Sequence, residues 1–407
     1  MRARVTCRLR ACLLLTFFTV MLATSVVAKN RVSENTLYGG LVKRPGTADH
    51  RFPASDTPFP LLSADPSTLA RPGNRAAAQA ASRLIRAHPE IRGLLLLDQG
   101  SVIFSGLGPG ASADTQFYGM SMSKSLMSLA VGQALCRGLI RDLSDRASDY
   151  LPDLKREPNY GRASIADLLT MRSGAALNRR AGSPDITDFG HGRRSFGWLA
   201  RTGTTDVPSL IWGPLRDSIP AADRAAFTPG DTFIYSNGDS EALGLLLRQV
   251  SGKTFARFFA ETVLSQVPLQ HDGHIEQDRL GNGLVSRGFQ FALHDWGRLA
   301  QWMMQARGQD DCFGHYLRQA TTRRAANACV RTCVARQWAS YGYQMWMDHY
   351  DMTGYWWLGY GGQSVATDPA GGRILVKFST HVTRSGHRAL GKLYRDWTAA
   401  GHRAAPD

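Results

Sequence analysis

Ser121-Met122-Ser123-Lys124 sets a serine and a lysine three residues apart, which on a helix is one turn and one face. A serine hydroxyl is a poor nucleophile until a base takes its proton, and a neutral lysine held beside it can be that base. The pattern alone decides little. The chain has 30 serines and seven lysines among 407 residues, so roughly half a Ser-x-x-Lys match arises by chance. The apolar run Met122 to Cys136 that follows reads as a helix. The serine then sits at a helix start, where backbone N–H groups lie beside it.

Working outward, Asn74 to His88 has helical spacing with Asn74 as a candidate cap. Gly93 to Leu97 and Ser101 to Phe104 read as a hairpin turning at Asp98-Gln99-Gly100. From 116 to 335 the signals are mostly helical, with Ser240–Val250, Phe255–Leu264 and His294–Gln305 as helices. Strand signals return at Tyr341–Met347, Tyr355–Thr367 and Arg373–Ser379, and Ala389–Ala399 closes the chain as a helix. An early hairpin and late strands bracket a helical insertion, which predicts an α/β layer formed by both chain ends and a cleft beside it.

Two further stretches stand out. Pro229-Gly230 makes a turn, and Phe233-Ile234-Tyr235-Ser236-Asn237 leaves it. Leu358-Gly359-Tyr360-Gly361-Gly362-Gln363 puts glycines inside a predicted strand, where they mark close approach of a backbone or ligand. Tyr355, Trp356 and Trp357 read as sheet core.

With Leu168-Leu-Thr-Met-Arg-Ser-Gly174, these stretches resemble, in order and spacing, serine hydrolases of the class C β-lactamase and penicillin-binding fold, over roughly residues 90 to 380. The Tyr-Ser-Asn and Tyr-Gly-Gly-Gln forms, with the run from Gly281-Asn282-Gly283-Leu284 to Arg298, are most similar to the branch of 6-aminohexanoate-dimer hydrolases and related esterases. The resemblance implies an α/β fold: an antiparallel sheet flanked by N- and C-terminal helices, with an inserted mostly helical region. It divides the chain into a leader at 1–28, an extended segment at 29–72 and a hydrolase domain at 73–407. The α/β part of that domain would be 73–115 and 336–407, and the helical part 116–335.

It further implies Ser121 as nucleophile, Lys124 as its neighbouring base, and Tyr235 as second base and acid for the leaving group. Lysine and tyrosine both titrate near 10 in water, so the proton would be shared across a Ser-Lys-Tyr network. Asn237 would hold Lys124 or a substrate amide. Tyr360, Gly361, Gly362 and Gln363 would bind substrate, with the Ser121 N–H and a backbone N–H near Gln363, on an edge strand, as oxyanion donors. Tyr360 departs from penicillin-recognising members, which carry Lys or His there. That weakens the case for a β-lactam or a peptide terminus. The stretch 175–226 also departs from the branch and leaves the substrate open. The expected activity is hydrolysis of a small amide or ester through an acyl-enzyme. The alternatives are a β-lactamase or D-alanyl-D-alanine carboxypeptidase, or a penicillin-binding sensor without turnover.

Arg2, Arg4, Arg8 and Arg10 precede the apolar run Ala11–Ala23, and Val26-Val27-Ala28 ends it. That is the pattern of a cleavable secretory signal, predicting a periplasmic or secreted protein. An uncleaved membrane anchor is the alternative. No later stretch approaches the roughly 20 apolar residues of a span. The net charge is +15, and loss of the four leader arginines leaves +11. The basic residues are dispersed, which argues against a nucleic-acid partner. Cys136, Cys312, Cys329 and Cys333 remain, and the clustering of the last three suggests a bridge among them.

Three decoys are set aside. Gly119-Met-Ser121-Met-Ser123 ends in serine rather than the glycine of a nucleophile elbow. Ser251-Gly252-Lys253-Thr254 lacks the first phosphate-loop glycine, because Leu247 stands there. His271-Asp272-Gly273-His274 reads as a surface loop without a third metal ligand. No metal or cofactor is expected, and the oligomeric state stays open.

Overall fold

Leu94 to Leu97 is an unbroken run of four leucines, the pattern of a strand covered on both faces. All four are fully buried. Leu94 and Leu96 pack with Ala81, Leu390 and Trp397, whereas Leu95 and Leu97 pack with Trp296 and Leu299 on the opposite face. The computed structural model describes residues 49–175, 199–200, 202–213, 228–322, 325–326, 338–349 and 352–403. The predicted leader, the segment to 48, most of the 175–226 stretch, Cys329 and Cys333 lie outside them.

In chain order the strands are β1 His50–Phe52, β2 Leu62–Ser63, β3 Ile91–Asp98, β4 Ser101–Leu107, β5 Phe117–Tyr118, β6 Gly273–Ile275, β7 Phe289–Phe291, β8 Ala325–Ala326, β9 Trp338–Tyr341, β10 Trp346–His349, β11 Met352–Gly359, β12 Gln363–Asp368 and β13 Arg373–Ser379. The longer helices are α1 Asn74–Ala87, α2 Met122–Cys136, α3 Asn237–Ser251, α4 Leu293–Arg307, α5 Cys312–Ala320 and α6 Arg384–His402. The main sheet runs β2-β4-β3-β13-β12-β11-β10-β9-β8. Its pairs are antiparallel except β2 with β4. The β3–β13 pair, with Leu95 opposite Val376 and Leu97 opposite Ile374, joins the early hairpin to the late strands. Helices α1 and α6 cover one face, and α2 and α4 lie against the other. The expected fold of an antiparallel sheet between terminal helices and an inserted helical region is therefore present.

A buried polar cluster ties the two chain ends together. Asn74 Nδ2 donates to Asp98 Oδ2 at 2.6 Å, and its Oδ1 accepts from Trp397 Nε1 at 2.8 Å. Arg373, 1% exposed, donates to the carbonyls of Trp397 and Pro72. Each member has a partner, as burial demands. This corrects the reading of Asn74 as the helix cap: Gly73, at φ +82°, occupies that position, and the Asn74 side chain points into the core.

Other expectations need correction. Tyr355–Thr367 is not one strand but the hairpin β11–β12, because Gly361 and Gly362 take φ of +80° and +90°, which permits a tight turn. Gln363 is consequently on an interior strand between β11 and β13, not on an edge. Tyr341–Met347 likewise splits into β9 and β10 around Gln344, at φ +61°. A second sheet, β1-β6-β7-β5, lies partly within the stretch read as mostly helical. Its strands have two or three residues, too short for a periodicity signal. Gly273 and His274 belong to β6 rather than to a loop, and Asp272 pairs with Arg51 at 2.7 Å.

The disulfide joins Cys136 to Cys312. This corrects the expectation for Cys312, while Cys329 and Cys333 lie outside the described residues: α5 begins at Cys312 and packs on α2, so its first residue meets the last residue of α2. Among the described residues no helix is long and apolar enough to cross a membrane.

Candidate active site

Helix α2 is buried from Met122 to Ala134, so each polar side chain on it requires a partner. Ser125 Oγ donates to the Gln344 carbonyl at 2.7 Å, Ser128 pairs with Tyr316, and Ser123 Oγ accepts from the Phe289 N–H at 3.1 Å. Lys124 is the helix's sole charge and is fully buried. Its Nζ donates to Asn237 Oδ1 at 2.6 Å and to the Ser286 carbonyl at 2.8 Å, and lies 3.3 Å from Ser121 Oγ. The same amine is 5.1 Å from the Tyr235 ring centroid. Ser121, Lys124, Tyr235 and Asn237 thus come from two distant stretches to one place.

The local sequence explains how. Ser121 is the residue before the first turn of α2, and Met120 ahead of it takes φ +50°. A non-glycine residue in that region stores strain, a feature that clusters at functional sites. Ser236 caps α3 by accepting the Asp239 N–H at 3.3 Å, which makes Asn237 the first helical residue and aims it at Lys124. Tyr235 lies on the extended segment just before the cap. Its ring stacks on Trp346 at 5.3 Å and meets Tyr341 edge-on at 6.0 Å.

The Leu168–Gly174 stretch backs this segment. The Ile234 N–H donates to the Met171 carbonyl, and the Gly230 N–H to that of Arg172, both at 2.8 Å. Buried Asp239 accepts from Ser173 Oγ at 2.7 Å, and burial pushes its carboxyl up to about 7. Gln344 links the pieces: it receives Ser240 Oγ at 2.8 Å, and its side-chain amide donates to the carbonyls of Leu168 and Leu169.

Gly359 and Gly119 meet across the site. A methyl on Gly359 would sit 2.3 Å from the Gly119 carbonyl oxygen, two residues before Ser121. That contact sets the Tyr360–Gly362 turn beside the start of α2. Tyr360 is 54% exposed. The Gln363 side chain points inward: its Nε2 donates to the Tyr360 and Ser379 carbonyls at 3.1 and 2.8 Å, and its Oε1 accepts the Ser379 N–H at 2.9 Å. The Ser379 hydroxyl donates to the Gly361 carbonyl at 2.7 Å. Gln363 therefore braces the turn from behind. Tyr355, Trp356 and Trp357 are all buried in the sheet. Sequence reasoning missed the Ser286 carbonyl, Gln344 and Glu241. Main-chain acceptors leave no residue-type signal. Glu241, a charge in the apolar run of α3, could have been flagged.

The sequence profile of the Beta-lactamase family matches residues 81–285. The chain belongs to the Beta-lactamase family. The chain is 29% identical over 168 residues to "Probable hydrolase M10" of Phoma sp., covering 38% of this chain and 28% of that protein. It is 28% identical over 151 residues to a "Beta-lactamase" of Pseudomonas fluorescens, covering 37% and 34% respectively. The chain thus matches about a third of the length of these curated relatives. The structure of a "Putative 6-aminohexanoate-dimer hydrolase from Bacillus anthracis" superposes with a TM-score of 0.65 at 19% identity, over 93% of this chain and 95% of that one. That likeness shows the β-lactamase/transpeptidase-like fold.

Proposed function

We propose that the protein is an exported serine hydrolase that opens an amide or ester bond through an acyl-enzyme on Ser121. The observation that carries this is the placement of Lys124 Nζ between Ser121 Oγ and the two acceptors Asn237 Oδ1 and Ser286 O. In this reading Lys124 takes the hydroxyl proton as Ser121 Oγ attacks the carbonyl carbon. Tyr235 passes a proton to the leaving group and then helps a water attack the acyl-enzyme. The Ser121 N–H and a backbone N–H of the Tyr360–Gln363 segment receive the developing oxyanion. Asn237 keeps the amine aimed at Ser121.

A small neutral amide or ester is the substrate class. An exposed tyrosine, Tyr360, stands where penicillin-recognising relatives carry a cation, which disfavours a carboxylate-bearing substrate. A linear amide is in keeping with the name of the Bacillus anthracis protein of like fold, and the Pseudomonas fluorescens relative named Beta-lactamase keeps a β-lactam as the alternative. Export rests on the basic and apolar leader at 1–28.

Ser121→Ala is expected to lower turnover of p-nitrophenyl esters by about a thousandfold or more and to abolish covalent labelling by a fluorophosphonate. Unchanged turnover overturns the proposal. A lasting penicillin adduct on Ser121 with no ester turnover points instead to a sensor.

A further inference from the structure

Glu241 stands one helical turn after Asn237 on α3, so the two side chains leave the same face. Asn237 reaches Lys124 directly. Glu241 reaches it through the main chain. Its Oε1 accepts the Ser286 N–H at 3.0 Å and its Oε2 the Val285 N–H at 3.3 Å, the latter shared with the Gly283 carbonyl at 2.9 Å. The Ser286 carbonyl is the one that holds Lys124 Nζ at 2.8 Å. The side chain is 1% exposed, and a buried carboxyl is costly unless it serves its neighbours.

We propose that Glu241 is a positioning residue for Lys124, fixing through the Val285 and Ser286 N–H groups the carbonyl that, with Asn237, aims the amine at Ser121. Two adjacent N–H groups face two oxygens, and only a carboxylate offers both as acceptors. A glutamine would turn an NH₂ toward one of them. An alanine or leucine, ordinary in a buried helix, would take the Glu241 acceptor from the Ser286 N–H and leave the Val285 N–H with the Gly283 carbonyl alone. Burial pushes the Glu241 carboxyl up to about 7, against the pull of its hydrogen bonds with Ser286 and, after them, of a positive charge on Lys124. Arg248, also on α3, lines the same narrow cleft and donates to the Leu280 carbonyl and to Asn282 Oδ1.

The test has two arms. The first rests on the serine-hydrolase reading and the second does not. In the first, Glu241→Gln is compared with the natural chain for the rate of fluorophosphonate labelling at Ser121 and for melting temperature. Labelling is expected to slow by about tenfold through misplacement of the base, with melting changed by only a few degrees. In the second, the carboxyl resonance of Glu241 in ¹³C-labelled protein is titrated with and without Lys124→Met. Its midpoint is expected to rise when the cation is removed. Failure of the natural chain to label sinks the hydrolase reading while the titration still reports on Glu241. Labelling of a folded Glu241→Gln at the natural rate overturns the positioning role, whereas an unmoved midpoint overturns only the charge tie to Lys124. Should Glu241→Gln not fold, Glu241→Asp, which keeps both acceptor oxygens on a shorter arm, is labelled in its place, and a natural rate again overturns the role.

Discussion

Lys124 and Lys377 are both buried lysines on opposite sides of the same problem. Lys124 has two oxygen acceptors and a hydroxyl around it. Lys377, on β13 behind the Gly361–Gly362 turn, is 6% exposed, and a methyl on Gly362 would meet its Nζ at 3.0 Å. Burial lowers its pKa from 10.5 to about 8, against the attraction of Glu90. The sign follows from linkage. Between about 8 and 10.5 the unfolded chain binds this proton and the folded one does not, so stability rises with pH across that window. Below pH 8 the charge is buried and costs about 3 kcal/mol. Lys377→Met is therefore expected to stabilise the fold at pH 7, with the gain fading by about pH 10. Denaturant unfolding at both values checks it, and an equal gain at both refutes it. At this scale the sequence singled out side chains that the fold brings together, as at Ser121, Lys124 and Asn237. It was silent where the partner is a main-chain carbonyl, as at Ser286.

At the scale of elements, the site is assembled by the ends of α2 and α3 and the β11–β12 turn. The helix α2 was legible to the residue, because a long apolar run after a polar start has one reading. The hairpin turns of the late strands were not. Gly361, Gly362 and Gln344 adopt left-handed backbone angles that period-2 patterning cannot register. The glycines of Leu358–Gln363 nonetheless signalled close approach, and the structure gives that approach an address. Gly359 touches the Gly119 carbonyl, and any side chain there must push β11 away from the start of α2. Gly359→Ala is thus expected to lower ester kcat/KM by about a hundredfold, since shifts of about 1 Å at a reacting centre cost that much. Far-ultraviolet circular dichroism should stay unchanged. A variant of natural activity would show that the contact has no part in placing the turn.

The whole molecule is held by long-range pairings of different kinds. The α/β part closes through the β3–β13 ladder and the Arg373–Asp98–Asn74–Trp397 cluster, which join residues about 300 positions apart. Its architecture was readable from order alone, an early hairpin and late strands around a helical insertion. The helical part carries the Cys136–Cys312 bridge, which closes a loop with a sequence separation of 176. That pairing was not readable, because it depends on α5 folding back onto α2 and not on cysteine spacing. A cross-link of this span stabilises by about 2–5 kcal/mol, chiefly by restricting the unfolded chain. The bridge sits at the far end of α2 from Ser121, about 22 Å away at 1.5 Å per residue. Stability and chemistry should therefore separate. Cys136→Ser with Cys312→Ser is expected to lower the melting temperature by several degrees while leaving ester kcat/KM at 25 °C within about twofold. Because the lost constraint acts on the unfolded chain, the folded site keeps its Lys124 cradle. A large loss of activity in a variant that still melts cooperatively would mean that the bridge acts on the start of α2, not only on the unfolded state.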